Sequence, residues 1–489
     1  MPPWPPEPGY GEFTGARHLS AKEIALLQSW VDGGMVEGNP ADLPPTPQWP
    51  SDWQLGKPDL VVTLPRAYTL PAEGKDVYRN FVVPVPISGS KYVSALEFLP
   101  NNKSVHHGFI KVDRTGQSAL REAQGGGPGF PGMSVPAEMP GGHFLSWQPG
   151  KTPAAAPRGL AWVLEKGNDL VLQLHMRTTG KAEQVQPMVG LYFTDQAPTN
   201  KTFKIVLTSL AIDIPAGRTN YVVNDSYVLP VDVQLLAILP HAHYLAREVR
   251  GTARLPDGSE KPLIWIKKWD FNWQGDYRYA EPISLPKGTR VSMRFSFDNS
   301  TNNLNNPHHP PRQVTYGPQT TDEMAELWLQ LLPRNAADLE ILTRDFNNKN
   351  MQVLADNVQF RLKRNPQDVQ AHKELGTIMI MAGRPEAAEE SLRTAVRLSP
   401  ANSEAHRLLA NALQQLRRDA DALVEYQEAI RLDPQNFKAH GSLGMMNLIR
   451  GKLDEAKGNF GRALEINPAD TNAQTGLRLI EQSTPPKAR

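Results

Sequence analysis

From residue 59 to about 334 the chain alternates apolar and polar side chains, the period of a strand with one buried and one wet face. In Arg290-Val-Ser-Met-Arg-Phe-Ser-Phe-Asp298, Val291, Met293, Phe295 and Phe297 share one face; Trp269, Phe271 and Trp273 alternate in the same way with Asp270, Asn272 and Gln274. Turn signals such as Leu255-Pro-Asp-Gly258 and Leu285-Pro-Lys-Gly288 separate the runs, which predicts antiparallel sheets. The block is long for one such domain and reads as two antiparallel, jelly-roll-like β-sandwiches, 59–198 and 199–334, joined near 196–203.

The pattern before this block is helical and brief. Residues 1–58 are rich in Pro and Trp, with one amphipathic helix predicted over Ser20 to Asp32: Ser20 and Glu23 form a capping box, Ile24, Leu27 and Val31 a stripe, and Gly33-Gly34 the stop. A lone stripe builds no core, so this helix is expected to dock on something. After the β block, connecting helices fill 335–364, and Pro366, Pro400, Pro434 and Pro468 then stand 34 residues apart, as do His372, His406 and His440. That spacing is the signature of tetratricopeptide repeats over 365–482: two-helix units that bury their faces by stacking, here an α-solenoid with flanking helices at 336–364 and 470–482. The histidines recur with the repeat and are read as packing residues. The repeats imply a protein partner.

Composition narrows the chemistry. The 52 basic and 51 acidic residues of the 489 nearly cancel, so no electrostatic footprint for nucleic acid is present. Zero cysteines exclude disulfides, thiolate metal sites and attached c-type haem within these residues. No apolar run is long enough for a transmembrane segment, and the first residues carry no export signal.

Five histidines remain as candidate chemistry in the β block: His106-His107, His175 in Leu172-Gln-Leu-His175, and His241-Ala-His243. Residues two apart on a strand share a face, so His241 and His243 can direct two imidazoles at one ion. Neighbouring His106 and His107 can do so only where the backbone bends, for which Gly108 offers freedom.

Four segments in order, Val105-His-His-Gly108, Leu172-Gln-Leu-His-Met176, Pro240-His-Ala-His-Tyr-Leu245 and Thr321-Asp-Glu-Met-Ala325, resemble the copper type II, ascorbate-dependent monooxygenases, the family of peptidylglycine α-hydroxylating monooxygenase and dopamine β-monooxygenase. The resemblance covers residues 59 to 334. It implies two copper ions: one held by His106, His107 and His175 that takes up electrons from ascorbate or an equivalent donor, and one held by His241, His243 and Met324 where dioxygen is used to hydroxylate a C–H bond. Thioether ligation suits Cu(I). Gln173 matches a family position near the first copper; Leu239, Glu326 and Trp328 fall where substrate contacts are expected. Leu239 stands where the peptide-hydroxylating relatives carry an arginine, and neither it nor Glu326 can grip a carboxylate as an arginine does, which argues against peptidylglycine. The substrate class, small molecule or peptide, stays open.

The segment from Met1-Pro-Pro-Trp4 through Arg17 to Trp30-Val-Asp-Gly-Gly34 is similar to the closing part of a c-type cytochrome, in which the Met would ligate haem; without CxxCH, haem binding by this chain is not expected. Both resemblances imply a periplasmic or extracellular location in a bacterium. His143 and His308-His309, in Gly- and Pro-rich loops, are expected to be solvated, and His18 to lie on the helix surface. The competing function is a non-catalytic copper-binding or scaffold protein that works through its repeats.

Overall fold

The computed structural model describes residues 4–16, 19–46, 53–132, 135–157 and 159–483. Met1, Arg17 and His18 lie outside them. The chain divides into two compact units, Met1–Asp345 and Phe346–Arg489.

The first unit is β-rich. Over residues 60–194 a four-stranded sheet runs in the order Leu60–Thr63, Met188–Thr194, Lys91–Leu99, Trp162–Leu164, and a five-stranded sheet in the order Phe130–Pro131, Val77–Pro84, Asp169–Met176, Val105–Asp113, Ser146–Trp147. One apolar core draws on both: Val62, Phe98 and Leu191 from the first, Phe81, Ile110 and Leu172 from the second. Over residues 203–333 two four-stranded sheets follow, Phe203–Thr208, Ala325–Pro333, Val233–Ala242, Tyr277–Leu285 and Tyr221–Val228, Arg290–Phe297, Ala246–Arg254, Glu260–Ile266. The predicted alternation is plain in Arg290–Phe297, where Val291, Met293, Phe295 and Phe297 are buried; each contributes about 1.5–3 kcal/mol relative to exposure. The first turn signal closes a hairpin between Ala246–Arg254 and Glu260–Ile266, whereas the second carries the chain from Tyr277–Leu285 in one sheet to Arg290–Phe297 in the other.

Two expectations fail in this unit. Trp269, Phe271 and Trp273 belong to no strand. The segment between Glu260–Ile266 and Tyr277–Leu285 is a loop, and Trp269 and Phe271 are buried against the histidine-bearing strand ends rather than in a sheet. The helix Ala21–Asp32 forms with the predicted capping box and Gly33 stop, yet none of its residues is buried, and Ile24, Leu27 and Val31 stay about half exposed. What docks instead is the chain before it. The Ala280 N–H donates to Glu12 O (2.8 Å) and the Thr14 N–H to Arg278 O (2.9 Å), extending the sheet edge, with Phe13 packed on Tyr277 and Tyr279.

The second unit is helical. After the long helix Ala336–Arg364, which spans the boundary, come the pairs Val369–Met381 with Pro385–Leu398, Ser403–Gln415 with Asp419–Leu432, and Phe437–Ile449 with Leu453–Ile466, then Thr471–Ser483. The period has a physical cause repeated in each unit. Asp368, Asn402, Asn436 and Asp470, again 34 apart, accept the N–H of Ala371, Ala405, Ala439 and Ala473 at the helix starts. The ring Nε2–H of His372, His406 and His440 donates to the carbonyls of Pro366, Pro400 and Pro434 at 3.0, 3.0 and 3.2 Å. In the fourth unit Gln474 makes the same bond to Pro468 O at 2.8 Å. These histidines are packing residues, as expected. Gly376 and Gly444 let paired helices approach closely, since a Cβ there would meet Leu392 at 2.3 Å and Phe460 at 2.6 Å. Among the described residues no helix is long and apolar enough to cross a membrane.

Candidate metal centres

Three imidazoles converge on the five-stranded sheet of the first unit. His107 pairs with His175 across the strands Val105–Asp113 and Asp169–Met176, and the register shifts between Val105 and His107, so His106 is the extra residue of a bulge. A bulge re-aims a side chain that a regular strand would send to the far face. The bend demanded by neighbouring histidines is therefore present, at His106 itself rather than at Gly108. His106 Nδ1 lies 3.1 Å and His175 Nδ1 3.4 Å from His107 Nδ1. One ligand atom from each residue falls within 4.8 Å of the others. Behind the trio the His175 Nε2–H donates to Asp76 at 2.8 Å, which leaves the Nδ1 lone pair facing its neighbours, and Tyr78 stacks on the same ring at 4.2 Å.

Electrostatics keep His106 and His107 uncharged. Burial, then the adjacent His175 and Arg177 charges, lower His106 to about 4, and burial with the surrounding histidines holds His107 well below its ordinary value. Three imidazoles with ring nitrogens turned on one another, and a buried His106 Nε2 without a hydrogen-bond partner, form a donor set that suits one transition-metal cation.

His241 and His243 form a second set. His241 ends the strand Val233–Ala242; its Nδ1–H donates to Gln274 Oε1 at 2.6 Å, while the His243 Nδ1–H donates to Asp322 O at 3.2 Å. Each bond fixes the tautomer that presents Nε2. Burial, then His241, lowers His243 to about 3. Ala242 pairs with Ala325, so His243 and Met324 follow as the next residues off the two strand ends. Glu323 ties these ends together: its buried carboxylate accepts the backbone N–H of His243 (2.5 Å), Met324 (2.8 Å) and Leu245 (2.9 Å). Burial pushes that carboxyl up to about 8 against the three donors that lower it. The resemblance expects Met324 to complete this set.

The two sets face one another. Phe271 stacks on His106 at 5.1 Å and lies 5.9 Å from His243, and a cavity of about 30 Å³ is lined by His107, Leu239, His241 and Gln274. Glu326 stands opposite His241 and Trp328 opposite Leu239 in the strand register, and the Trp328 indole N–H donates to Glu326 at 2.9 Å. Leu239 thus borders the cavity, with Glu326 and Trp328 beside it on the same sheet face. Gln173 shares the face of His175, but its amide is committed to Asn80 Oδ1 at 3.0 Å. His143 departs from the solvated-loop expectation: it is half-buried, and burial with Arg278 and Lys204 nearby lowers it to about 4.

Sequence reasoning missed Asp76, Phe271, Gln274 and Glu323. For Glu323 a local signal existed, an acid beside the candidate thioether ligand at a strand entrance; the others reach their partners only through tertiary packing.

Residues 359–403, 380–437 and 407–473 match the tetratricopeptide repeat family. No curated protein matches the chain. Among solved structures, the crystal structure of MamA is 24% identical over 30% of this chain and 84% of its own (TM-score 0.25). The Arabidopsis OM64 TPR domain is 22% identical over 24% and 96% (TM-score 0.23), and the first TPR domain of human RPAP3 27% over 24% and 93% (TM-score 0.23). The family match over 359–473 makes the carboxy-terminal unit a tetratricopeptide array, a repeat that serves protein–protein interaction.

Proposed function

We propose that the β-rich unit is a copper-dependent monooxygenase of the ascorbate-dependent type and that the repeats recruit a protein partner. On this reading the four large sheets are its two jelly-roll-like β-sandwiches. The observation that carries it is the donor geometry: three imidazole Nδ1 atoms from two strands in one group, and a separate His-x-His pair with Nδ1 occupied and Nε2 presented, on a strand end whose register neighbour is preceded by Met324. Copper bound there would supply one-electron storage and dioxygen activation, so that one oxygen atom enters a C–H bond and the other leaves as water with two electrons from ascorbate or a cytochrome-type donor.

The chain's residues would prepare that chemistry. Asp76 and Gln274 orient His175 and His241 and fix which ring nitrogen each presents. Glu323 holds the His243 and Met324 backbones in one register. Phe271 and Leu239 narrow the space between the sets and exclude water, which strengthens electrostatic interactions inside. A periplasmic or extracellular address fits this chemistry.

Copper titration with oxygen uptake on ascorbate tests the proposal. Two coppers per chain and ascorbate-dependent uptake are expected, and Met324→Ile should abolish uptake with the fold intact. Tight copper without turnover would leave the scaffold reading.

A further inference from the structure

A second, wider cleft of the first unit lies beside these histidines. It measures about 210 Å³, room on the order of one aromatic ring with a short side chain at roughly 30 Å³ per water-sized volume. Its walls are aromatic, including Trp147 and Trp273. Gly150, at φ +80°, is what lets its loop lie against Trp273, since a Cβ there would meet the indole at 2.4 Å. Ser146, Trp147 and Gln148 also line the smaller cavity of His107 and His241, so the cleft runs up to the histidines.

Two cations, Lys151 and Arg278, and two carboxylates, Glu97 and Asp276, line the cleft, and Glu97 is engaged by the backbone N–H groups of Gln54 and Leu55. Lys151 and Asp276 form an ion pair, and Lys151 also donates to Ser146 O at 2.7 Å. Asp276 is thereby engaged. Arg278, two residues on, is half-buried and makes one hydrogen bond, from its guanidinium to Ala155 O at 3.3 Å. Among the described residues no carboxylate lies within ion-pair distance of it. A guanidinium has five N–H donors in a planar fork that matches a carboxylate. His143, at about 4, is uncharged near neutral pH and leaves Arg278 as the unpaired cation lining the cleft. In the floor the Tyr277 hydroxyl is buried, beside Gly275, without a hydrogen-bond partner.

We propose that this cleft binds a small aromatic carboxylate, the anionic group on Arg278, the ring against Trp147 and Trp273, and the free end toward Gln148 and the histidine cavity. Binding as such needs no metal; that the guest is the oxygenase substrate rests on the copper reading. The place of the arginine differs from that vacated at Leu239: Arg278 pairs with Ala237, one strand over and two residues earlier than Leu239.

The test is calorimetric titration of the metal-free full-length chain with phenylacetate, phenylacetamide and phenethylammonium. Phenylacetate should bind at least tenfold tighter than the amide, and the ammonium weakest. Arg278→Gln should erase the advantage over the amide, Arg278→Lys keep part of it, and Trp273→Leu weaken acid and amide alike. His406→Ala, in the repeats, should leave phenylacetate affinity unchanged. No binding of phenylacetate at millimolar concentration, or an undiminished preference in Arg278→Gln, overturns the proposal. Binding as described by a chain that consumes no oxygen with copper and ascorbate would sink the oxygenase reading and leave the anion site standing.

Discussion

In the repeat unit each of the three conserved-period histidines finds its partner six residues away, on a proline carbonyl, and the bond recurs every 34 residues. In the β-rich unit His107 meets His175 across 68 residues and His175 meets Asp76 across 99, with no repeat to announce either. The same side chain is a local staple in one unit and a long-range convergence in the other. A staple spends one ring nitrogen on a carbonyl six residues away and has, among the described residues, no second imidazole beside it, whereas the convergent set ends in nitrogens aimed at each other. Census counts of histidine cannot separate the two roles, but the distance to the partner does.

The largest contrast is expected in metal stoichiometry. His175→Ala should bring the chain from two coppers to one by metal analysis after dialysis, a loss beyond the roughly 10- to 100-fold caused by removing a residue behind a ligand. His406→Ala, in the repeats, should retain both. Two coppers in His175→Ala would break the comparison, because the convergent trio would then be no more a site than the staples are.

Next in size is the cost of removing the clamp at the second set. Glu323→Ala strands three buried backbone donors, those of His243, Met324 and Leu245. Each unmet donor costs about 1–3 kcal/mol, so a loss of roughly 3–5 kcal/mol is expected after partial relaxation. Urea unfolding would register it in the transition of the β-rich unit and leave that of the repeats in place; a loss under about 1 kcal/mol would mean the strand ends hold their register without the clamp.

Asp76→Asn is the milder test of the first set. The His175 ring keeps a hydrogen-bond acceptor but loses a charged one. Copper affinity at the trio should fall about 10- to 100-fold, near 1.4–2.7 kcal/mol, with stability little changed. Unchanged affinity would indicate that Tyr78 stacking alone orients the ring.

How far each unit was legible in the sequence follows from the same distances. The repeats could be read almost to the residue, because caps, proline stops and stapling histidines all act within one helix pair. In the β-rich unit alternation located Arg290–Phe297, the turn signals marked two strand connections, and motif order picked out the histidines. It failed at Trp269–Trp273, where a perfect alternation of aromatic and polar residues lies in a loop. Those rings are buried on His243 and His106 instead of a sheet partner, a choice made by tertiary contact after the local pattern is satisfied either way. Asp76 and Gln274 were invisible for the same reason: an acceptor for an imidazole N–H has no spacing rule.

The smallest expected effect probes the local side of the comparison. Asn402 caps Ser403–Gln415 by accepting the Ala405 N–H at 3.0 Å, the bond its counterparts Asp368 and Asn436 make one repeat away on either side. Replacing it with Ala should cost about 1 kcal/mol, the usual worth of an N-cap. Because a solenoid's stability is a sum of repeat and neighbour-interface contributions, the same substitution at Asn436 should cost a similar amount, and the pair should sum unless the interface between adjacent repeats couples them. Thermal unfolding followed by helical circular dichroism measures all three variants. Copper content should not move in any of them. A double variant that costs much more than the sum would show that the caps hold the stack as well as their own helices, and that even the local staples of this unit act over a distance longer than one repeat.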